Sequence, residues 1–193
     1  MSNLTTFSMI DNFTRTDFAK LLAILGMNIG VEIGVFEGWY SRVLLDANPK
    51  LKLYCIDPWQ PMPEYGDMEI AYETTIRYLD KTNAQIIRKT SLDSLQQFED
   101  NSIDFVYIDG DHALEAATND IVNWEKKVRC GGIVSGHDYE DYWTPFAKQY
   151  RVKEAVNKFV EDNNISPWFI FDGRADYSKG KKRIPKSWMW VKK

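Results

Sequence analysis

Apolar runs alternate with stretches of helical periodicity along most of this chain, and that alternation constrains its fold more than any other feature. The runs lie at Ile29–Val35, Leu51–Ile56, Ala84–Ile87, Ile103–Ile108 and Gly131–Ser135, separated by Trp39–Ala47, Met68–Leu79 and Leu114–Val128. Strands that are continuously apolar are buried on both faces, so the pattern predicts a parallel sheet with helices on either side. Leu114, Ala117, Ile121, Trp124 and Val128 share one helical face, as do Val152, Val156, Phe159 and Val160 further on. Both stripes read as core. Before the first run, Thr14-Arg15-Thr16-Asp17 is a capping pattern, and Phe18, Leu21, Leu22 and Leu25 follow on one face until Gly26 stops the helix. Near the other end Trp168–Phe171 and Ser187–Val191 are strand-like runs without a helix between them, which predicts an antiparallel pair at the sheet edge.

At 193 residues the chain suits a single domain over 1–193, with 1–27 as a helical extension and 28–193 as the α/β core. A content of 44% hydrophobic and 27% charged residues is that of a globular domain, and no apolar stretch nears the roughly 20 residues of a membrane helix. Met1-Ser2-Asn3-Leu4-Thr5 lacks the basic start and apolar centre of a secretory signal, so a cytoplasmic location is expected. The net charge of −4 offers no general attraction for a phosphate backbone. The one basic run, Lys179 to Arg183, contains Gly180 and lies beside Pro185, so it reads as a solvated hairpin loop. Neither nucleic acid nor membrane is an expected partner; a small molecule is, and a homodimer stays open. Cys55 and Cys130 are isolated in apolar runs and are expected to be buried thiols.

The two histidines each end an apolar run inside an acidic cassette, Asp109-Gly110-Asp111-His112 and Gly136-His137-Asp138-Tyr139. If the runs are neighbouring parallel strands, carboxylates and imidazoles meet at one rim, where open α/β sheets bind ligands. The first strand leads into Glu32-Ile33-Gly34-Val35-Phe36-Glu37-Gly38, whose glycines permit a tight turn ahead of a helix. This spacing is not that of a dinucleotide loop, and acidic Glu32 suits an ammonium-bearing ligand better than a phosphate. Asp57, about 20 residues on, stands where an acidic side chain accepts from ribose hydroxyls. Two loops rich in aromatics and prolines, Pro58–Tyr65 and Tyr139–Phe146, leave the same rim. They read either as a substrate wall or lid, or as packing over the sheet edge.

Taken in order, Glu32-x-Gly34-x-x-x-Gly38, Asp57, the Asp109–His112 cassette and Gly131-Gly132 with Gly136–Tyr139 resemble the class I S-adenosylmethionine-dependent methyltransferases. Within that class the similarity is to the small O-methyltransferase-like group with an Asp-Gly-Asp-His signature, and it spans roughly Val31 to Tyr139. The resemblance implies a Rossmann-like, doubly wound, mostly parallel seven-stranded sheet with an antiparallel C-terminal strand pair. It implies that Gly34 and Gly38 shape the loop around the methionine moiety, Glu32 lies near its amino group, Asp57 holds the ribose and Ser91 borders the adenine. For Ser91, a helix cap is the alternative. Asp109 is counted with the cofactor residues as well.

Metal-dependent members of the superfamily place ligands where Asp109, His137 and Asp138 stand here. An imidazole at 137 departs from an all-oxygen set, so the implied divalent ion, Mg²⁺ or Mn²⁺, is either replaced by a softer one or absent. His112 matches the general base of related O-methyltransferases, with Asp111 as its orienter or an alternative base. Asp109, Asp111 and His112 also fit a plain strand-end turn. The expected activity is O-methylation of a small sugar or phenol. Nucleic-acid methylation is disfavoured, since strand four does not end in Asn/Asp-Pro-Pro-aromatic and neither cysteine follows a proline. An aminopropyl transferase and a cofactor-binding sensing module without transfer activity are the alternatives.

Overall fold

The computed structural model describes residues 7–61, 66–143, 149–175 and 184–193. It opens on β1 (Ser8–Thr14), which feeds α1 (Arg15–Ile24) through a capping box: Thr14 Oγ1 accepts from Asp17 N while the Asp17 carboxylate accepts from Thr14 N. The alternating unit follows as β2 (Ile29–Ile33), α2 (Trp39–Ala47), β3 (Lys52–Asp57), α3 (Met68–Tyr78) and β4 (Ala84–Arg88). It continues through the single turn α4 (Ser91–Ser94) to β5 (Ile103–Ile108), α5 (Leu114–Lys127) and β6 (Val128–Gly136). A small antiparallel pair, β7 (Asp141–Trp143) and β8 (Gln149–Arg151), precedes α6 (Val152–Asp162), β9 (Trp168–Asp172) and β10 (Ser187–Val191).

The main sheet runs β1-β9-β10-β6-β5-β2-β3-β4. Only β10 is reversed, pairing antiparallel with both β6 and β9, while every other pairing is parallel. The α/β class, the mostly parallel sheet and the antiparallel β9–β10 pair all agree with the sequence reading. Two details differ. The sheet has eight strands rather than seven, because residues 8–14 form a strand ahead of the expected helix. For the same reason the β9–β10 pair is not an edge: β1 covers β9, with Ser8, Met9 and Ile10 opposite Phe169, Ile170 and Phe171.

Side chains on β5 alternate between two cores, as the pleat requires. Val106 and Ile108 join Ile121 and Trp124 of α5 and Val156 and Val160 of α6 on one face. Phe105 and Tyr107 join Phe18 and Leu22 of α1 and Leu44 of α2 on the other. Cys55 lies inside this second core, as expected. Cys130 does not: it is exposed, on a stretch of β6 whose flanking residues are open too, which corrects the reading of it as buried. Among the described residues no helix is long and apolar enough to cross a membrane.

Candidate active site

Seven strands of the main sheet point the same way, so their C-terminal ends share one rim. That rim collects Arg15 after β1, residues 34–38 after β2, Asp57 after β3, Ser91 beyond β4, residues 109–112 after β5, His137 and Asp138 after β6, and Gly173 after β9. The expectation that the two histidine cassettes meet is met by the β5–β6 pairing, which sets Ile108 against Gly136.

At its centre four side chains converge. His112 Nε2 lies 2.9 Å from Asp138 Oδ2 and 3.7 Å from Asp109 Oδ1, and His137 Nδ1 lies 3.1 Å and 3.6 Å from the same two oxygens. All four are buried or nearly so, with Asp109 the most open at 22% of its side chain. Asp138 takes φ +51°, a left-handed backbone that costs a non-glycine residue about 1 kcal/mol or more. The surroundings must impose it: His137 N donates to Ile108 O and Tyr139 N to Lys186 O, clamping the turn on both sides. Burial works against charge on both imidazoles, yet the facing carboxylates outweigh it and hold the proton on His112 up to about 10; His137 moves the same way. In return the histidines keep Asp109 below the usual carboxylate range and Asp138 well below it, against their own burial.

One nitrogen of His137 and one oxygen each of Asp109 and Asp138 lie within 4.8 Å of one another. One imidazole and two carboxylates form a donor set able to take a divalent ion. Two buried nitrogens of the cluster, His112 Nε2 and His137 Nε2, lack an aligned hydrogen-bond partner among the described residues. His137 Nε2 is backed by Gly173, where a Cβ would come within 2.6 Å of it and 1.8 Å of the Pro185 carbonyl oxygen.

The glycine loop is built against this cluster. Gly34 has φ +82°, and a Cβ there would lie 2.0 Å from the Asp109 carbonyl oxygen, so no other residue fits. Asp57 shapes the same loop, accepting from Phe36 N at 3.0 Å and from Trp59 N at 2.7 Å; burial nonetheless raises its pKa above the ordinary aspartate value. Glu32 lies beneath the loop, 2% exposed, and accepts from Ser41 Oγ. Burial lifts its pKa to about 8, with Ser41 opposing and Asp109 adding to the rise. In this state Glu32 carries a proton at neutral pH.

Ser91 is not the cap of its helix; Thr90 accepts from Asp93 N in that role. Instead Ser91 Oγ donates to Asp120 Oδ1 and accepts from Trp124 Nε1, tying the loop after β4 to α5. Asp111 Oδ1 accepts from Ala113 N, and the carboxylates at ion-pair distance from His112 are those of Asp138 and Asp109. In the aromatic loops, Trp59 is 2% exposed with its indole donating to Phe36 O, and the buried Tyr139 donates to Asn157 Oδ1. Both follow the packing reading; residues 62–65 and 144–146 of those loops, and the basic run 179–183, lie outside the described residues.

Two contributors went unread in the sequence. Arg15, 5% exposed, donates to Gly173 O, lies 3.4 Å from Asp109 Oδ2 and covers the Tyr40 ring at 4.8 Å. Its signal was the capping motif, which marks a helix start but cannot say that a strand delivers that start to the rim. Tyr150, on β8, stacks on His112 at 4.5 Å, and the next residue's N–H donates to the His112 carbonyl.

Comparison with known proteins bears on this arrangement. The chain is 37% identical over 139 residues to Uncharacterized protein R132 of Acanthamoeba polyphaga mimivirus, a match covering 68% of this chain and 59% of the viral protein. Among solved structures it superposes on the O-methyltransferase of Bacillus cereus in complex with SAH, with a TM-score of 0.64 and 16% identity over 99% of this chain and 85% of that one. It also superposes on TomG of Streptomyces achromogenes, an O-methyltransferase of tomaymycin synthesis in complex with SAM, with a TM-score of 0.61 and 19% identity over 91% of this chain and 80% of that one. At these identities the two superpositions establish a shared fold. The sequence profile of the methyltransferase domain matches residues 31–139, from the middle of β2 through both histidine cassettes, and with more than half the chain inside that match this protein belongs to the methyltransferase-domain family.

Proposed function

We propose that this protein is an S-adenosylmethionine-dependent O-methyltransferase acting on a small hydroxylated molecule, a sugar or a phenol. The observation that carries this reading is the convergence of Asp109, His112, His137 and Asp138 beside the loop at residues 34–38. Family membership and the two superposed O-methyltransferases, one with SAM and one with SAH, support the cofactor. Gly34 and Gly38 turn the loop that would border the methionine portion, and Glu32, neutral while buried beneath it, would give up its proton on pairing with the ligand's ammonium. Asp57 keeps lone pairs beyond those given to Phe36 and Trp59, available to ribose hydroxyls.

When bound, the cofactor supplies an electrophilic methyl carbon, and a divalent ion held by Asp109, His137 and Asp138 supplies charge that makes the acceptor hydroxyl more acidic. Transfer would join the acceptor oxygen to that carbon as its bond to sulfur breaks, the electron pair staying on sulfur, and the hydroxyl proton would pass to a base of this chain. His112 is that base. Asp109 and Asp138 hold a proton on its imidazole, and a divalent ion held by them would weaken that hold. Tyr150, stacked on the ring, restrains its orientation.

A thermal-shift series with S-adenosylmethionine, S-adenosylhomocysteine and NAD, each with and without Mg²⁺, Mn²⁺ or Zn²⁺, tests the cofactor. Ligands of the folded state raise the melting temperature. Both sulfur nucleosides are expected to stabilise; stabilisation by NAD alone overturns the assignment. His112→Ala should keep affinity for S-adenosylhomocysteine and lose at least about 100-fold in transfer to a phenol or sugar acceptor. A wild-type protein that binds the nucleosides yet methylates nothing in a broad acceptor panel is a sensing module instead.

A further inference from the structure

Arg15 opens α1, yet its side chain is buried in the rim rather than left in solvent. A guanidinium taken out of water must be compensated on several sides. Here Nε donates to Gly173 O, the guanidinium lies 4.8 Å from the centre of the Tyr40 ring, and Nη1 stands 3.4 Å from Asp109 Oδ2. The backbone is tied to the same turn, since Arg15 N donates to Arg174 O at 2.8 Å. Gly173 also backs His137 Nε2, so one turn after β9 sets both Arg15 and His137 against Asp109. The consequence is a division of the Asp109 carboxylate. Oδ2 meets the guanidinium, while Oδ1 faces His112 and His137 at 3.7 and 3.6 Å.

We propose that Arg15 is a positioning residue for the divalent ion of the proposed function, on which this inference rests: by engaging Oδ2 it limits Asp109 to one oxygen on the ion and so favours a small cation over Ca²⁺. A carboxylate that gives both oxygens to one ion suits Ca²⁺, which takes about six to eight ligands in a loose shell, whereas smaller ions hold to a near-octahedral one. With Oδ2 engaged, Asp109 cannot add that second oxygen. The nitrogen of His137 is a poor substitute for Ca²⁺, which prefers oxygen. The positive charge of Arg15 repels every divalent ion nearly alike, so it cancels when two such ions are compared on one protein. Only the freedom of Oδ2 alters their ratio.

Titration with Mn²⁺, its free fraction followed by electron paramagnetic resonance, and displacement of the bound Mn²⁺ by Ca²⁺ test the assignment without any turnover. The wild-type protein should bind Mn²⁺ at least about tenfold more tightly than Ca²⁺. Arg15→Met, which keeps apolar contact with Tyr40 but loses the charge and every donor, should narrow that preference by about fivefold or more. Arg15→Lys, which leaves a cation for Oδ2, should keep most of it. His137 contributes equally in each variant, so the change on substitution reads Arg15 alone. A merely structural Arg15 would move both affinities together and leave their ratio as it was. An unchanged ratio in a folded Arg15→Met overturns the proposal, and Arg15→Gln carries the same expectation and the same refutation should Arg15→Met not fold. Equal affinities in the wild-type protein overturn it without any variant. Binding of neither ion by the wild-type protein overturns the divalent-ion reading first and this one with it.

Discussion

Replacing Glu32 with Gln should stabilise the protein, and by an amount that depends on pH in a defined way. The Glu32 carboxyl is 2% exposed and holds its proton to about 8, against an ordinary value of 4.5. Below pH 4.5 it is protonated in folded and unfolded chains alike, and its ionisation costs the fold nothing. Between 4.5 and 8 the unfolded chain releases the proton and the folded chain keeps it, so stability falls with rising pH by about 1.4 kcal/mol per unit. The accumulated cost is about 3 kcal/mol at pH 7 and about 5 kcal/mol above pH 8 as an upper limit. Gln has nearly the same shape, and its amide oxygen accepts the Ser41 hydroxyl as the carboxyl does. Urea unfolding followed by tryptophan fluorescence at pH 5, 6, 7 and 8 isolates this one group, because the slopes of all others cancel between the two proteins. The difference should grow steadily in favour of Glu32→Gln across that window. A difference that is flat, or that favours the wild type more as pH rises, refutes the assignment of a protonated Glu32. Affinity for S-adenosylhomocysteine should fall in the same variant if Glu32 meets an ammonium group.

Gly173→Ala should destabilise the protein by about 2 kcal/mol or more in the same unfolding assay, since its Cβ would come within 1.8 Å of the Pro185 backbone oxygen and 2.6 Å of His137 Nε2; a neutral result would show that residues 173 and 185 are not packed as described. In the native protein Ellman's reagent should modify one thiol promptly, the exposed Cys130, while Cys55, whose thiol burial drives far above its ordinary pKa, reacts only after unfolding. Asp109→Asn and Asp138→Asn should each abolish any Mn²⁺-dependent rise in melting temperature, whereas Asp111→Asn, whose carboxylate serves the Ala113 amide, should leave it in place.

Where burial is symmetric, the sequence was easy to read. β5 and α2 have the expected limits because every residue of β5 but Asp104 is buried, and α2 begins at the glycine that ends its loop. The convergence of the two histidine cassettes followed from strand adjacency alone, with no side-chain detail needed. What escaped was placed by partners distant in sequence. β1 carries Asp11 and Asn12 in its middle, with Asn12 at φ +55° and a register shift beside it. It is largely exposed, so it has neither alternation nor an apolar run to announce it. Without β1 there was no reason to bring Arg15 to the rim. Tyr150 sits in a segment with no periodicity, and only the fold shows that it lies on His112. Cys130 was judged by its apolar neighbours, a rule that fails at the open start of a strand.

The edge position of β1 bears on the order in which the molecule assembles. This strand can zip up only against β9, Ser8 against Phe169, and β9 is itself held in place by β10. The five parallel strands β2 to β6 pair among themselves without β1, so it is expected to dock only once β10 and β9 have joined them. Arg15 follows directly on that strand, so docking of β1 ties the outer edge of the sheet to the ion pair that Arg15 makes with Asp109 at the candidate site.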